Sequence, residues 1–142
     1  MDPGPRPHVL VIDDDPVVRE VAVRRLRVRG HQVTAVGDGL AALAEAAGRR
    51  LEIVVIDLEM PGMGGLEVIR RLREDQPLAR VVVMTSHVAL DTVLACLKEG
   101  ALTFVGKPLG DCADLDAAVD HAAWVINHWK SQLARVARQR KA

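Results

Sequence analysis

Three consecutive carboxylates at Asp13, Asp14 and Asp15, a further one at Asp57, hydroxyls at Thr85 and Ser86 and an amine at Lys107 are the side chains of this 142-residue chain whose types could do chemistry together. Carboxylates packed into one place raise one another's pKa values or demand a cation. Oxygen-only ligands suit Mg²⁺, which keeps several waters and bridges to phosphate. A carboxylate nucleophile, a metal, and a hydroxyl and an amine to bind equatorial oxygens make a site for phosphoryl chemistry. Taken singly, each residue has a plainer reading. Asp15 precedes Pro16 and reads as a helix N-cap with proline at the first helical position. Thr85 alone is an ordinary strand-end hydroxyl and Lys107 alone a surface charge, although with 15 Arg to 4 Lys a lysine here stands out.

The elements that must position these residues are legible as alternation. Five short apolar, β-branched runs recur at 8–13, 31–36, 52–57, 80–85 and 102–106. Between them, apolar residues at three- and four-residue spacing predict helices: one from Pro16 to Gly30, then 39–47, 66–74 and 90–99. Strands that are apolar throughout and separated by helices imply a parallel sheet covered on both faces, an α/β doubly wound fold. In such a sheet ligands bind beyond the carboxyl ends of the strands. The first run ends in Asp13, the third in Asp57, the fourth in Thr85 and the fifth at Gly106, next to Lys107, whereas the second ends blandly at Val36 and Gly37, as an edge strand would. Four strands thus deliver their polar groups to one end of the sheet.

The last helix is too long for this plan. Leu115, Val119, Ala122, Ile126, Trp129, Leu133 and Val136 form an unbroken a/d seam over three heptads, on a helix about 40 Å long at 1.5 Å per residue. A covering helix needs only the first half. The second half must find another apolar surface, most simply a second copy of itself.

Bulk properties set bounds. The length suits one domain with a real core. No apolar run approaches the roughly 20 residues of a membrane span. Residues 1–7, with Pro3, Pro5 and Pro7, read as a disordered lead-in with no signal-peptide character. Cys96 and Cys112 are too few for a disulfide framework, so the expected location is cytoplasmic. A net charge of zero hides a split: −5 up to His128 and +5 beyond it, where Lys130, Arg135, Arg138, Arg140 and Lys141 lie. A basic tail of this kind is either a solvated helix end or a contact for nucleic acid, an acidic partner or a membrane surface.

In order and spacing, Val-Leu-Val-Ile-Asp13-Asp14-Asp15-Pro16, Asp38-Gly39, Ile56-Asp57-Leu58-Glu59-Met60-Pro61-Gly62-Met63-Gly64-Gly65-Leu66, Met84-Thr85-Ser86, Gly100-Ala101 and Phe104-Val105-Gly106-Lys107-Pro108 resemble the response-regulator receiver domains of two-component signalling. The resemblance covers about residues 8–122 and leaves 123–142 as an extension of the last helix. It implies a flavodoxin-like strand order 2-1-3-4-5. It implies that Asp57 takes a phosphoryl group from the phosphohistidine of a sensor histidine kinase or phosphotransfer protein. Asp14, Asp57 and the backbone carbonyl of Glu59 would bind Mg²⁺, with Asp13 acting through the metal's water shell. Lys107 would pair with the phosphoryl oxygens and Thr85 would swing its hydroxyl onto them. Phe104, the single Phe of a chain without Tyr, would then turn inward and reshape the face made by the fourth helix, fifth strand and fifth helix. A cis Lys107-Pro108 bond is expected, because proline allows it at modest cost.

Four departures from the family pattern stand out. Gly64 replaces the usual Asp and Gly106 a usual β-branched residue, while Glu59 and His87 occupy positions that tune phosphoryl lifetime. The chain is expected to catalyse only its own phosphorylation and dephosphorylation, to dimerise through its C-terminal helix, and to reach nucleic acid only through an effector not seen in this sequence. Two rivals remain open. One is a haloacid-dehalogenase-type phosphatase with Asp13 as nucleophile, which leaves the Asp57 loop unexplained. The other is a dimerisation module independent of phosphorylation.

Overall fold

The computed structural model describes residues 4–86 and 90–141. Strands and helices alternate as β1 (Val9–Ile12), α1 (Pro16–Val28), β2 (Val33–Val36), α2 (Gly39–Gly48), β3 (Ile53–Asp57), α3 (Gly65–Asp75), β4 (Arg80–Thr85), α4 (Leu90–Lys98), β5 (Thr103–Gly106) and α5 (Ala113–Lys141). The strands pair in parallel in the order β2-β1-β3-β4-β5. This is the doubly wound order that the resemblance implied.

Successive strand side chains point to opposite faces, and the two faces fill two separate cores. Val9, Val11, Ile53, Val55, Val82 and Met84 pack with Ala22 and Leu26 of α1 and with Leu115, Val119, Ala122 and Ile126 of α5. Leu10, Ile12, Val54, Ile56, Val81 and Val83 pack with Ala42 of α2 and with Val68, Ile69 and Leu72 of α3. Every residue of β1 and β3 is buried. Their sequences therefore run apolar without alternation.

Local chemistry starts the helices. Asp15 accepts a hydrogen bond from Val17 N at 2.9 Å and is followed by Pro16, the expected N-cap. Asp38 Oδ1 accepts from Ala41 N at 2.8 Å and caps α2 in the same way. At α3 the cap position is Gly64, which has no side chain to offer, so the departure from Asp leaves this helix without a side-chain cap. The other glycine departure, Gly106, still pairs in register with Thr85.

Residues 5–7 of the lead-in make contacts with the body of the fold. Pro7 is buried and its carbonyl accepts from His31 Nδ1 at 2.7 Å. Pro5 O accepts from Asn127 Nδ2 at 2.9 Å, and Arg6 pairs with Asp120 at 3.5 Å. For these residues of the expected lead-in, His31, Asn127 and Asp120 supply partners that local sequence does not reveal.

The helix α5 serves the fold over its first half only. Leu115, Val119, Ala122 and Ile126 are buried, whereas Trp129, Leu133 and Val136 are 53, 57 and 47% exposed. Arg25 pairs with Asp116 at 2.5 Å and Arg29 with Asp120 at 2.6 Å, which holds the buried half against α1. Beside the emergent half lies a groove of about 320 Å³, lined in part by Leu51, Leu78, Trp129 and Leu133.

The turn from β3 into α3 brings backbone against backbone at Gly65. A Cβ added there would lie 2.5 Å from Asp57 O and 2.9 Å from Leu58 Cα, whereas one added at Gly48 would meet nothing within 4 Å. Gly65→Ala should therefore cost about 1–3 kcal/mol of stability, as overpacking does. Gly48→Ala, in the last turn of α2, should be neutral or gain up to about 1 kcal/mol. Urea denaturation of the two variants checks the contrast, and equal effects would refute it.

Candidate functional site

From β1 the chain passes outward to β2 and returns to β3 on the other side of β1. Such a reversal opens a crevice beyond the carboxyl ends of the two central strands. Ile12 is in register with Ile56, so the next residues, Asp13 and Asp57, emerge side by side. Asp57 is in register with Met84, and Thr85 with Gly106, which brings Thr85 and Lys107 to the same end. Asp13, Asp57 and Thr85 are almost wholly buried, whereas Asp14 is exposed. Lys107 Nζ lies 2.8 Å from Asp13 Oδ2 and 3.2 Å from Asp57 Oδ1. The lysine is tied to the sheet by its N–H, which donates to Thr85 O at 2.8 Å, and the Lys107-Pro108 bond is cis, as expected.

The electrostatics follow from burial. Asp57 is pushed up to about 6, first by desolvation and further by the Asp13 charge, against the opposing pull of the Glu59 N–H and Lys107. Lys107 is held above its ordinary value. Burial works against its charge, but the hydrogen bond and charge of Asp13 and the nearby Asp57 outweigh that cost. Asp13 is further fixed by Asp15 N, which donates to its Oδ1 at 2.9 Å, and by Arg19 Nη1, which donates to its backbone carbonyl at 2.8 Å. The two buried carboxylates thus share one cation.

One amine against three carboxylates leaves room for more positive charge. Ligand oxygens of Asp13, Asp14 and Asp57 all lie within 4.8 Å of one another. An all-oxygen, carboxylate-only donor set of this size fits a hard divalent cation. Asp14, the exposed member, is on the solvent side where an ion that retains waters would sit.

At the end of β4 the Glu59 side chain, at a position expected to tune phosphoryl lifetime, has a specific partner that the sequence did not reveal. The Glu59 carboxylate accepts the Thr85 hydroxyl at 2.7 Å, and Ser86 N and Oγ stand 3.4 and 3.5 Å from its other oxygen. Glu59 and Thr85 are 26 positions apart, so only the β3–β4 register reveals the pair. Phe104 is 48% exposed and turned out of the core. His87, the other position expected to tune phosphoryl lifetime, lies outside the described residues.

Comparison with known proteins agrees with this geometry. The sequence profile of the response regulator receiver domain matches residues 9–120. The chain is 39% identical over 100 residues to the probable transcriptional regulatory protein TcrX of Mycobacterium tuberculosis, covering 70% of this chain and 43% of that protein. It is 32% identical over 124 residues to the DNA-binding transcriptional regulator NtrC of Salmonella typhimurium, covering 87% of this chain and 26% of that protein. The chain therefore spans about a quarter to less than half the length of these relatives. Among solved structures it is similar to response regulator TrrA of Thermotoga maritima in complex with Mg²⁺ and BeF, at TM-score 0.74 and 27% identity over 82% of this chain and 98% of that one. A response regulator from Burkholderia pseudomallei with a phosphorylated aspartic acid and a calcium ion matches at TM-score 0.74 and 28% identity, over 89% and 74% of the two chains. The dehalogenase-type reading, with Asp13 as nucleophile, gives way to these matches. A sheet that buries paired carboxylates at its switch point, with a lysine delivered from β5, is thus found in a chain that belongs to the response regulator receiver domains of two-component signalling.

Proposed function

We propose that Asp57 is the phosphoacceptor, with a sensor histidine kinase or phosphotransfer protein as donor. The observation that carries this reading is the convergence of Asp13, Asp14, Asp57 and Lys107 within hydrogen-bonding or ligand distance of one another. A carboxylate oxygen of Asp57 attacks the phosphorus of a phosphohistidine. The P–O bond forms as the P–N bond breaks, and the electron pair returns to the imidazole. Asp14, Asp57 and the Glu59 carbonyl would hold Mg²⁺, with Asp13 reached through water, and the ion would offset charge on the phosphoryl oxygens. Lys107 then exchanges carboxylate partners for a phosphoryl oxygen, and Thr85 donates its hydroxyl to another. Phe104 turns from its exposed position into the space Thr85 leaves, changing the α4–β5–α5 face. The chemistry is confined to the chain's own phosphorylation and dephosphorylation. Residues 8–122 make up the phosphoacceptor unit, and 123–142 extend its last helix.

Pairing with a second copy through this extension belongs to the same proposal. Beyond Ile126 the seam residues Trp129, Leu133 and Val136 are exposed, and burying each is worth roughly 1.5–3 kcal/mol. The positions that would flank them in a parallel pair are Val125, Lys130, Gln132, Ala137 and Gln139. Lys130 is already paired with Glu52 at 3.1 Å, so charge does not oppose the contact. Nucleic acid is reached through an effector, as the DNA-binding relatives suggest. No helix among the described residues is long and apolar enough to cross a membrane. The setting is cytoplasmic, where Cys96 and Cys112, both free and buried, stay reduced.

Three outcomes check these statements. Acetyl phosphate with Mg²⁺ should label the wild type and leave Asp57→Asn unlabelled, and Asp14→Ala should lose Mg²⁺ affinity; labelling of Asp57→Asn at the wild-type level would sink the assignment. The raised pKa of Asp57 has a definite sign. Its folded value of about 6 exceeds the ordinary 3.8, so its contribution to stability is full below about pH 4 and is lost as pH rises through 6. Metal-free Asp57→Asn should therefore be more stable than wild type at pH 8, by up to about 3 kcal/mol, with the gap closing by pH 4 and narrowing when Mg²⁺ is added. Sedimentation at micromolar concentration should find a dimer that Trp129→Glu/Leu133→Glu dissociates, and a monomeric wild type would refute the helix pairing.

A further inference from the structure

A hydroxyl has one proton to donate, and in this structure Thr85 gives it to Glu59. Thr85 is 4% exposed, and its Oγ1 lies 2.7 Å from Glu59 Oε1. A carboxylate is acceptor only, which fixes Thr85 as the donor. The other Glu59 oxygen faces Ser86 N and Oγ, so the carboxylate sits against the end of β4. The Glu59 backbone is anchored independently, its N–H donating to Asp57 Oδ1 at 3.2 Å. One residue thus touches the acceptor carboxylate through its main chain and the Thr85 hydroxyl through its side chain.

We propose that Glu59 is a positioning residue for the switch: its carboxylate retains the Thr85 hydroxyl in the unphosphorylated state, and a phosphoryl group on Asp57 must displace it to engage Thr85. This rests on the reading in which Thr85 moves onto the phosphoryl oxygens. A hydrogen bond to an ionised acceptor is about twice as strong as a neutral one. The exchange therefore sets two anions against each other for a single donor. Glu59 biases the domain toward the resting arrangement with Phe104 outward, and lowers the response to a given degree of phosphorylation. Because the Glu59 side chain is exposed, its removal leaves both cores intact.

The test is a double-mutant cycle read by beryllofluoride binding in the presence of Mg²⁺, on the whole chain. Glu59→Ala should bind about tenfold more tightly than wild type, the size expected for freeing a donor from a charged partner. In a Thr85→Val background the same substitution should change affinity less than about twofold, since no hydroxyl remains to release. The ring of Phe104, the single Phe of the chain, supplies a second readout. Its NMR resonances in unliganded Glu59→Ala should move toward their beryllofluoride-bound positions, and in Thr85→Val should not respond to loss of Glu59. An equal gain in both backgrounds would show that Glu59 acts only as a nearby negative charge, and would overturn the proposal while leaving Asp57 as acceptor. Failure of the wild type to bind beryllofluoride would remove the phosphoacceptor reading and the proposal with it.

Discussion

Two carboxylates, Asp13 and Asp57, leave the ends of neighbouring central strands almost without exposure to water, and a single ammonium from β5 answers both. A lone buried carboxylate costs several kcal/mol unless paired or protonated. The arrangement is tolerable because Lys107 stands between them, Asp15 N and Glu59 N donate to them, and Asp57 holds a proton more tightly than an ordinary carboxylate does. Most of the structure around the site can be understood as what keeps this group of charges in place. The two cores clamp β1 and β3 from both faces, Gly65 lets the β3–α3 turn close against Asp57 O, and the register of β5 carries Lys107 across β4.

The same charges explain how the site can respond to a ligand. Under the proposed reading, a cation would add on the side where Asp14 is exposed, and an anion on Asp57 would give Lys107 and Thr85 a new partner. Neither residue is free beforehand: Lys107 is engaged by two carboxylates and Thr85 by a third. In that reading, response would be an exchange of partners at nearly constant hydrogen-bond number. Small energy differences decide such exchanges, which is why one exposed side chain such as Glu59, already bonded to Thr85, would have leverage on them.

The helix α5 joins this site to whatever lies beyond the sheet. Its first half belongs to the core that includes Val105, the residue after Phe104. Its second half carries the same apolar seam into solvent, with Arg135 and Arg138 away from the seam. A continuous helix couples the two halves mechanically, since neither can rotate about its axis without the other. Ion pairs from Arg25 and Arg29, at the end of α1, to Asp116 and Asp120 hold the inner half in place.

The sequence by itself determined the number, type and order of the elements. Strand runs, helical spacing and caps such as Asp15-Pro16 are set by neighbours within a few residues. It also determined which residues sit at the carboxyl ends of strands, and hence the membership of the site: Asp13, Asp14, Asp57, Thr85 and Lys107 were all legible. Tertiary structure alone decided what these residues do to one another. Asp13 and Asp14 are adjacent and chemically identical, yet one is buried against Lys107 and the other faces solvent, because successive side chains at the end of β1 point different ways. Glu59 and Thr85 meet only because β3 and β4 are in register, and residues 4–7 are held only because His31, Asn127 and Asp120 happen to lie beneath them. The seam of α5 reads as uniform along the helix, and only the extent of the sheet decides where it stops being core. Local periodicity is encoded in the chain one turn at a time, whereas partner identity depends on register and rotation between segments far apart in sequence, which no short stretch contains.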